Sequence, residues 1–357
     1  MRARPAVRAT LLALVLPLAS CGLVSLRENR DAAAKEGLIR GEVVHQEPDA
    51  STLVVFALEE NAGALKAVNY TALADPSGYV MRAAAGRSYI VGVFVDRNGN
   101  GRPDAGEPGA VAPALAPVEA NWRRATRADL RVTAESRLAP EHAAALQGLA
   151  QLERKPLPIA VGEVAGLDDE RFTEDVGKMG MWAPFDFAVH VGAGVYFLAP
   201  YDPKKIPVLF VSGIGGNPQQ WRSVIEALDP ERYQAWIYLY PSGVRLQTSA
   251  SVLNGCIEAL HRQYGFERLY VTAHSMGGLV ARGFIQQNTA SGANHYLRLF
   301  VSVSTPWEGH KGARAGVERS PVVMPAWIDL QPGSEYQQAI FARRFAAPLE
   351  YLSLIHI

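Results

Sequence analysis

The chain reads as two domains in series, a small all-β module followed by a larger α/β domain with a mostly parallel sheet. Three observations predict this. From Leu38 to about Val132, short runs rich in β-branched and aromatic residues alternate with turn residues, and no helix-length periodic segment interrupts them. From about Trp182 onward, apolar strands and amphipathic helices alternate, the pattern of a layered α/β domain. Finally, one strand runs through a Ser-centred turn of small residues directly into a helix, at Leu269 to Ile285. A length of 357 residues suits two domains. A 48% hydrophobic composition with 20% charged residues excludes a disordered chain. Lys+Arg and Asp+Glu balance at 35 each, so there is no electrostatic case for nucleic acid. Two cysteines cannot build a disulfide scaffold.

The N-terminus reads as an address. Arg2, Arg4 and Arg8 precede an apolar stretch from Ala9 to Ala19, the n- and h-regions of a secretory signal. No apolar run reaches the roughly 18–20 residues of a membrane-spanning helix. The stretch ends in Leu18-Ala19-Ser20-Cys21-Gly22, which resembles the lipobox of bacterial lipoproteins. That resemblance implies cleavage after residue 20 and acylation of Cys21; the other reading is an ordinary signal peptide with a chance Cys. Each buried methylene contributes roughly 0.8 kcal/mol, so several chains hold the protein on a bilayer without spanning it. The expected location is the bacterial cell envelope, lipid-anchored at the outer membrane, because Gly22 is not the Asp associated with inner-membrane retention. Removing three arginines leaves the mature chain slightly acidic. Cys256 then lacks a disulfide partner and, on a helical apolar face with Leu253, Ile257 and Leu260, reads as core.

The expected boundaries are a signal peptide at 1–20, a polar tether at 21–37, a β-sandwich at 38–135, a helix and linker at 136–180, and the α/β domain at 181–357. Within the sandwich, Asp96-Arg-Asn98-Gly-Asn100-Gly101-Arg102-Pro-Asp104-Ala-Gly-Glu107 follows the D-x-N-x-N-G pattern of a calcium loop closing with Glu at position 12. Asp96, Asn98, Asn100, Asp104, Glu107 and the Arg102 carbonyl would ligate a structural calcium ion. The loop follows a strand instead of a helix, and it resembles the calcium-stabilised turns of bacterial surface β-sandwich modules. A metal-free polar hairpin turn is the alternative, since Asn-Gly is a strong turn signal.

In the second domain, Pro207–Val211 is a strand leading into Ser212-Gly213-Ile214-Gly215-Gly216. Ala235–Tyr240 is another, Gln247–Tyr264 a helix, and Leu299–Val303 a later strand. Ala273-His274-Ser275-Met276-Gly277 fits the strand–elbow–helix setting of a nucleophile turn, where small neighbours let strand and helix approach. Together these segments resemble the α/β-hydrolase lipases and esterases. The resemblance implies Ser275 as nucleophile and the backbone N–H groups of Met276 and Ile214 as oxyanion hole. It also implies a membrane-anchored serine hydrolase that cleaves carboxylic esters, acyl lipids among them. An acyltransferase or amidase on the same fold, or a non-catalytic envelope-binding lipoprotein, are the alternatives. No catalytic cofactor is expected. Ser212 stands where that family usually has His.

In this fold the acid and base follow the nucleophile in chain order. His310, in Ser304-Thr-Pro-Trp-Glu-Gly-His310, and Asp329 are the in-chain candidates, while His356 lies in a terminal segment that resembles translated adapter sequence. The expectation is therefore a hydrolase domain cut short, with two strands and their loops lying beyond residue 357 and the chain as written inactive or very weak.

Overall fold

A computed structural model describes residues 22–45, 52–73, 78–113, 115, 117–120, 125–152, 157–292, 294–345 and 347–354. The signal segment and Cys21 lie outside these residues, as does most of the linker around Lys155. The chain divides into two compact units, residues 30–157 and residues 1–29 with 158–357.

The unit at 30–157 holds strands β1 (Glu36–His45), β2 (Thr52–Asn61), β3 (Ala64–Leu73), β4 (Gly78–Ala84), β5 (Ile90–Asp96), β6 (Gly109–Val111), β7 (Thr126–Arg127) and β8 (Leu130–Val132). Among the described residues these form two four-stranded sheets. One runs β4-β1-β7 with β8 also on β1, and the other β3-β2-β5-β6. Alternate residues of each sheet meet in one apolar cluster: Ile39, Val43, Tyr79 and Met81 from the first, Leu53, Val55, Val91 and Val93 from the second. The opposite face of β2 and β5 (Val54, Phe56, Phe94) is covered by Leu146 and Leu149. This burial on both faces explains why β2 reads as a nearly continuous apolar run.

Leu146 and Leu149 correct the expected organisation. The helix expected within 136–180 is a short α2 (Pro140–Ala145) followed by a 3-10 turn at Leu149–Gln151. It belongs to the β unit and does not form part of a linker reaching to 180. The α/β unit correspondingly begins near Pro158, well before 181. The polar tether expected at 21–37 is also corrected. Residues 22–33 form a helix, α1, and β1 starts at Glu36. Leu26 of α1 is buried in the α/β core. Asn29 donates to the Asp186 carboxylate and accepts from the Asp186 N–H, both at 2.9 Å.

The α/β unit continues with β9 (Ile159–Val164), α3 (Glu174–Trp182), α4 (Pro184–His190), β10 (Ala193–Phe197), β11 (Ile206–Val211), α5 (Arg222–Glu226) and β12 (Tyr233–Leu239). Then come α6 (Leu246–Tyr264), β13 (Leu269–His274), α7 (Met276–Ala290) and β14 (Leu297–Val303). The remaining elements are α8 (Lys311–Arg319), α9 (Pro325–Leu330), α10 (Glu335–Phe341) and β15 (Glu350–Leu354). Among the described residues the sheet order is β15-β14-β13-β11-β12-β10-β9. Five strands run parallel; β10 pairs antiparallel with β12 and carries β9 alongside.

Both faces of this sheet are packed. On one face α6 lays down Leu246, Ala250, Leu253, Ile257 and Leu260, spaced at three and four residues, and stops at Gly265 with φ 63°. Beside it, α7 is buried from Met276 through Ile285, and its one charged residue there, Arg282, donates to Ile340 O at 2.9 Å. Phe172, Phe187, Trp221 and Phe210 fill the other face. Cys256 is buried in the α6 face, where desolvation pushes its thiol up to about 12. No helix among the described residues is long and apolar enough to cross a membrane.

Candidate active site

The site grows from the junction of β13 and α7. Ser275 has φ 52° and ψ −131°, a backbone conformation that costs a non-glycine residue on the order of 1–3 kcal/mol. The surroundings hold it there. Its N–H donates to Val303 O at 2.8 Å, and Gly278 N–H reaches back to Ser275 O at 3.0 Å. A Cβ at Gly277 would collide with the Ser212 carbonyl oxygen, and one at Gly278 with the Thr305 side chain. Ala273 is fully buried, as the small first position of the elbow requires.

The glycine turn after β11 lies directly against this serine. A Cβ on Gly213 would stand 2.9 Å from Ser275 Cβ and 3.4 Å from Oγ. Gly215 N–H is spent on Ser242 Oγ (2.9 Å) and Gly216 N–H on Gly213 O (3.1 Å). Those bonds leave the N–H of Ile214 out of the turn's own network. Met276 opens α7, so its N–H has no acceptor within the helix. Both residues adjoin the nucleophile position, Met276 in sequence and Ile214 next to Gly213, whose Cβ position lies against Ser275.

Ser212 pins the turn mechanically. Its Oγ donates to Asn217 O (3.2 Å) and accepts from Trp221 Nε1 (3.1 Å), while its carbonyl accepts from Tyr240 OH (2.7 Å). Tyr240, Ser242 and Trp221 thus pin the glycine turn. Their hold on this turn is not legible in the sequence, although Tyr240 and Ser242 follow β12 at the carboxyl edge of the sheet, where open α/β folds place ligands. Met181 was also missed. Its Sδ lies 3.2 Å from where a Gly215 Cβ would point. The adjacent Trp182 meets Trp327 of α9 edge-on, ring centroids 6.3 Å apart.

The candidate acid and base each make contacts of their own. Asp329 is wholly buried, and both carboxylate oxygens are engaged. Oδ1 accepts from Arg245 Nε (2.9 Å) and Nη2 (2.6 Å), and Oδ2 accepts from the Leu246 N–H (2.7 Å) at the start of α6. In these bonds it is an anion that ties α9 to α6. His310 caps α8 and donates its N–H to Leu330 O at 2.8 Å. Its ring lies against its own first turn, 2.9 Å from where a Gly312 Cβ would be. Among the described residues neither side chain hydrogen-bonds Ser275. His356 lies outside them.

The candidate calcium loop joins β5 to β6. Asp96 is buried and accepts from the Asn100 and Gly101 N–H groups at 3.1 and 2.9 Å. Glu107 accepts from the Arg97 and Asp104 N–H groups at 2.8 and 2.9 Å. Gly99 and Gly101 take φ 73° and 70°. Asn98 and Asn100 both donate to Asp104 at 2.7 Å, which holds that carboxyl below the usual range. The donor set is all oxygen, gathered on one turn, and fits a hard cation. Among the described residues no group of three or more His, Cys, Asp or Glu side chains could hold a metal, so the two asparagines would have to share such a site.

Residues 247–316, the stretch spanning α6, the elbow and β14, match the family model described as lecithin:cholesterol acyltransferase. No curated protein matches the chain. Among solved structures, the chain is similar to the Bacillus licheniformis lipase BlEst2 in mature form, at 18% identity and a TM-score of 0.36, covering 44% of this chain and 70% of that one. The propeptide form of the lipase gives 19%, a TM-score of 0.34, and shares of 43% and 36%. A structure from a study of Nitrososphaera gargenis carboxylesterases gives 13%, 0.26, and shares of 36% and 51%. With all three TM-scores below 0.5, the fold is read from the sheet order and the elbow of this chain itself.

Proposed function

We propose that the protein is a serine hydrolase of carboxylic esters, lipase- or esterase-like, held on the bacterial outer membrane by lipid on Cys21. One observation carries this reading: the strained Ser275 between β13 and α7, with the Gly213–Gly216 turn against its side chain. Strain of this kind persists where the fold over-determines it, and it clusters where chemistry uses it.

In the reaction, Ser275 Oγ adds to the ester carbonyl, and the oxyanion is met by the N–H groups of Met276 and Ile214. Each such donor contributes about 3–4 kcal/mol of transition-state stabilisation. Collapse expels the alcohol, with the serine proton passing to it through a general base, and water then releases the acid from the acyl-enzyme. Because no imidazole among the described residues hydrogen-bonds Ser275, this chain is expected to react slowly and to be accelerated by a base from solution. Calcium at Asp96–Glu107 would stiffen the β unit and take no part in the chemistry.

The test is intact-protein mass spectrometry after incubation with a fluorophosphonate. One adduct is expected, on Ser275, absent in Ser275→Ala and formed faster with added imidazole. A folded chain that stays unmodified, with or without imidazole, overturns the reading. The acyltransferase-family match across the elbow favours a second reading, acyl transfer to an alcohol instead of water. Added acceptor alcohols would then raise total ester consumption and appear as acylated product.

A further inference from the structure

The one charge on α7 has no counter-charge. Arg282 is only 7% exposed, and its Nε and Nη2 donate to Ile340 O (2.9 Å) and Arg343 O (3.3 Å) at the end of α10. Phe341, Phe345 and Trp307 lie around the guanidinium, with ring centroids 4.2, 4.3 and 5.9 Å from its central carbon. Among the described residues Nη1 bonds nothing, and no carboxylate pairs with the group. Burial lowers its pKa, but a guanidinium stays charged at neutral pH. Carbonyl dipoles and ring faces soften that charge without cancelling it, and a buried charge is costly unless it is paired. The surface beside it is equally one-sided. Arg343, whose carbonyl also accepts from Gln286 Nε2 (3.0 Å), and Arg344 are exposed, and neither side chain forms an ion pair among the described residues. Phe341 is 44% exposed beside them. Neither α7 nor the stretch 336–349 contains an Asp or Glu, in a chain whose acids and bases balance at 35 each.

We infer that the junction of α7 with the end of α10 is a docking face for an anionic phospholipid bilayer, where Arg282, Arg343 and Arg344 receive lipid phosphates and Phe341 enters the interface. Charge complementarity selects the partner. The forked guanidinium matches phosphate oxygens, and three such groups without a carboxylate among them suit a surface of fixed negative charge. The exposed ring separates a bilayer from a free ion. Dissolved phosphate has no use for apolar surface beside the cations, whereas a bilayer takes up both. The inference stands on this face alone and depends neither on Ser275 as nucleophile nor on acylation of Cys21.

The experiment uses the full chain and vesicles of phosphatidylcholine, with or without phosphatidylglycerol, carrying bromine on the acyl chains. Trp307 is the reporter, because its ring lies 5.9 Å from the Arg282 guanidinium and 5.8 Å from Phe341, and residues 1–21 contain no tryptophan. Phosphatidylglycerol vesicles should quench the part of the emission that Trp307→Phe removes, pure phosphatidylcholine should not, and about 0.5 M salt should weaken the effect. Arg343→Ala/Arg344→Ala alters only exposed side chains. It should raise the lipid concentration needed for quenching about thirtyfold, from about fivefold for each arginine near an anionic surface, with the folded tryptophan emission unchanged. Trp307 emission indifferent to both lipids, quenched equally by both, or still quenched at the same lipid concentration without the two arginines overturns the docking face. Inorganic phosphate that shifts Trp307 emission while anionic vesicles leave it unquenched overturns the bilayer as partner and identifies a free-anion site instead.

Discussion

Replacing Asp329 separates structural from catalytic use of a buried carboxylate. Asp329→Ala removes two bonds from Arg245 and one from the first N–H of α6. The helix-start bond resembles a cap and is worth about 1 kcal/mol. The charge-assisted bonds contribute roughly 1.5–3 kcal/mol in a buried setting. The Arg245 side chain is 44% exposed and can rehydrate, which discounts that figure toward its lower end. The expected loss is about 2–3 kcal/mol, below the roughly 3–5 kcal/mol for breaking a fully buried pair. Urea unfolding followed by tryptophan emission is a suitable assay, since Trp182, Trp221, Trp236, Trp307 and Trp327 all lie in the α/β unit. At a slope of about 2 kcal/mol/M the midpoint should fall by roughly 1 M. Asp329→Asn keeps an acceptor for Leu246 and should lose less. A midpoint that moves by less than about 0.3 M, together with a roughly 10⁴-fold loss of turnover in the Asn variant, would refute the structural assignment and restore Asp329 as the acid that orients the base.

Two glycines should respond oppositely to the same methyl group. Gly277→Ala drives a Cβ into the Ser212 carbonyl and should cost about 1–3 kcal/mol and abolish labelling of Ser275, whereas exposed Gly255→Ala in α6 meets nothing and should gain about 0.8–1 kcal/mol. His261 stacks on Tyr296 at 4.3 Å, and burial first, then His295, hold its pKa below the ordinary 6.5. The unfolded chain therefore takes up its proton first, so this contribution to stability is present above pH 6.5 and is lost as pH falls toward the lower folded value. His261→Phe should flatten the stability profile there, and an unchanged slope would contradict the assignment. Calcium at a hundred times its dissociation constant should stabilise the β unit by about 2.7 kcal/mol, an effect removed by EDTA and by Glu107→Gln; equal melting in calcium and EDTA would exclude the ion.

Local patterns carried the fold where one element's own residues decide it. Gln247–Tyr264 was expected as helix and spans Leu246–Tyr264, because a five-residue apolar stripe and Gly265 mark its face and its end. The elbow was legible because strand, small residues and helix are contiguous. What escaped depends on distant partners. α1 has one buried leucine and would be marginal alone; docking on Trp182 and Asp186 makes it a helix. β9 hides behind a proline-rich stretch, carries Gly162 at φ 81° and lies at the sheet edge. Asp329 was read by chain order, but its partner Arg245 lies 84 residues upstream, which no local pattern reveals.

Burial of Cys256 gives the α/β unit a built-in clock. Its sulfur sits 3.8 Å from Ala160 O on the edge strand β9, between α6 and the sheet. A thiol held at about 12 and sealed from solvent is inert to alkylating reagents while the unit is closed. Reaction requires α6 to part from β9, so the alkylation rate of this single residue counts those openings directly. Below saturating reagent it reads their free energy, and above it their rate.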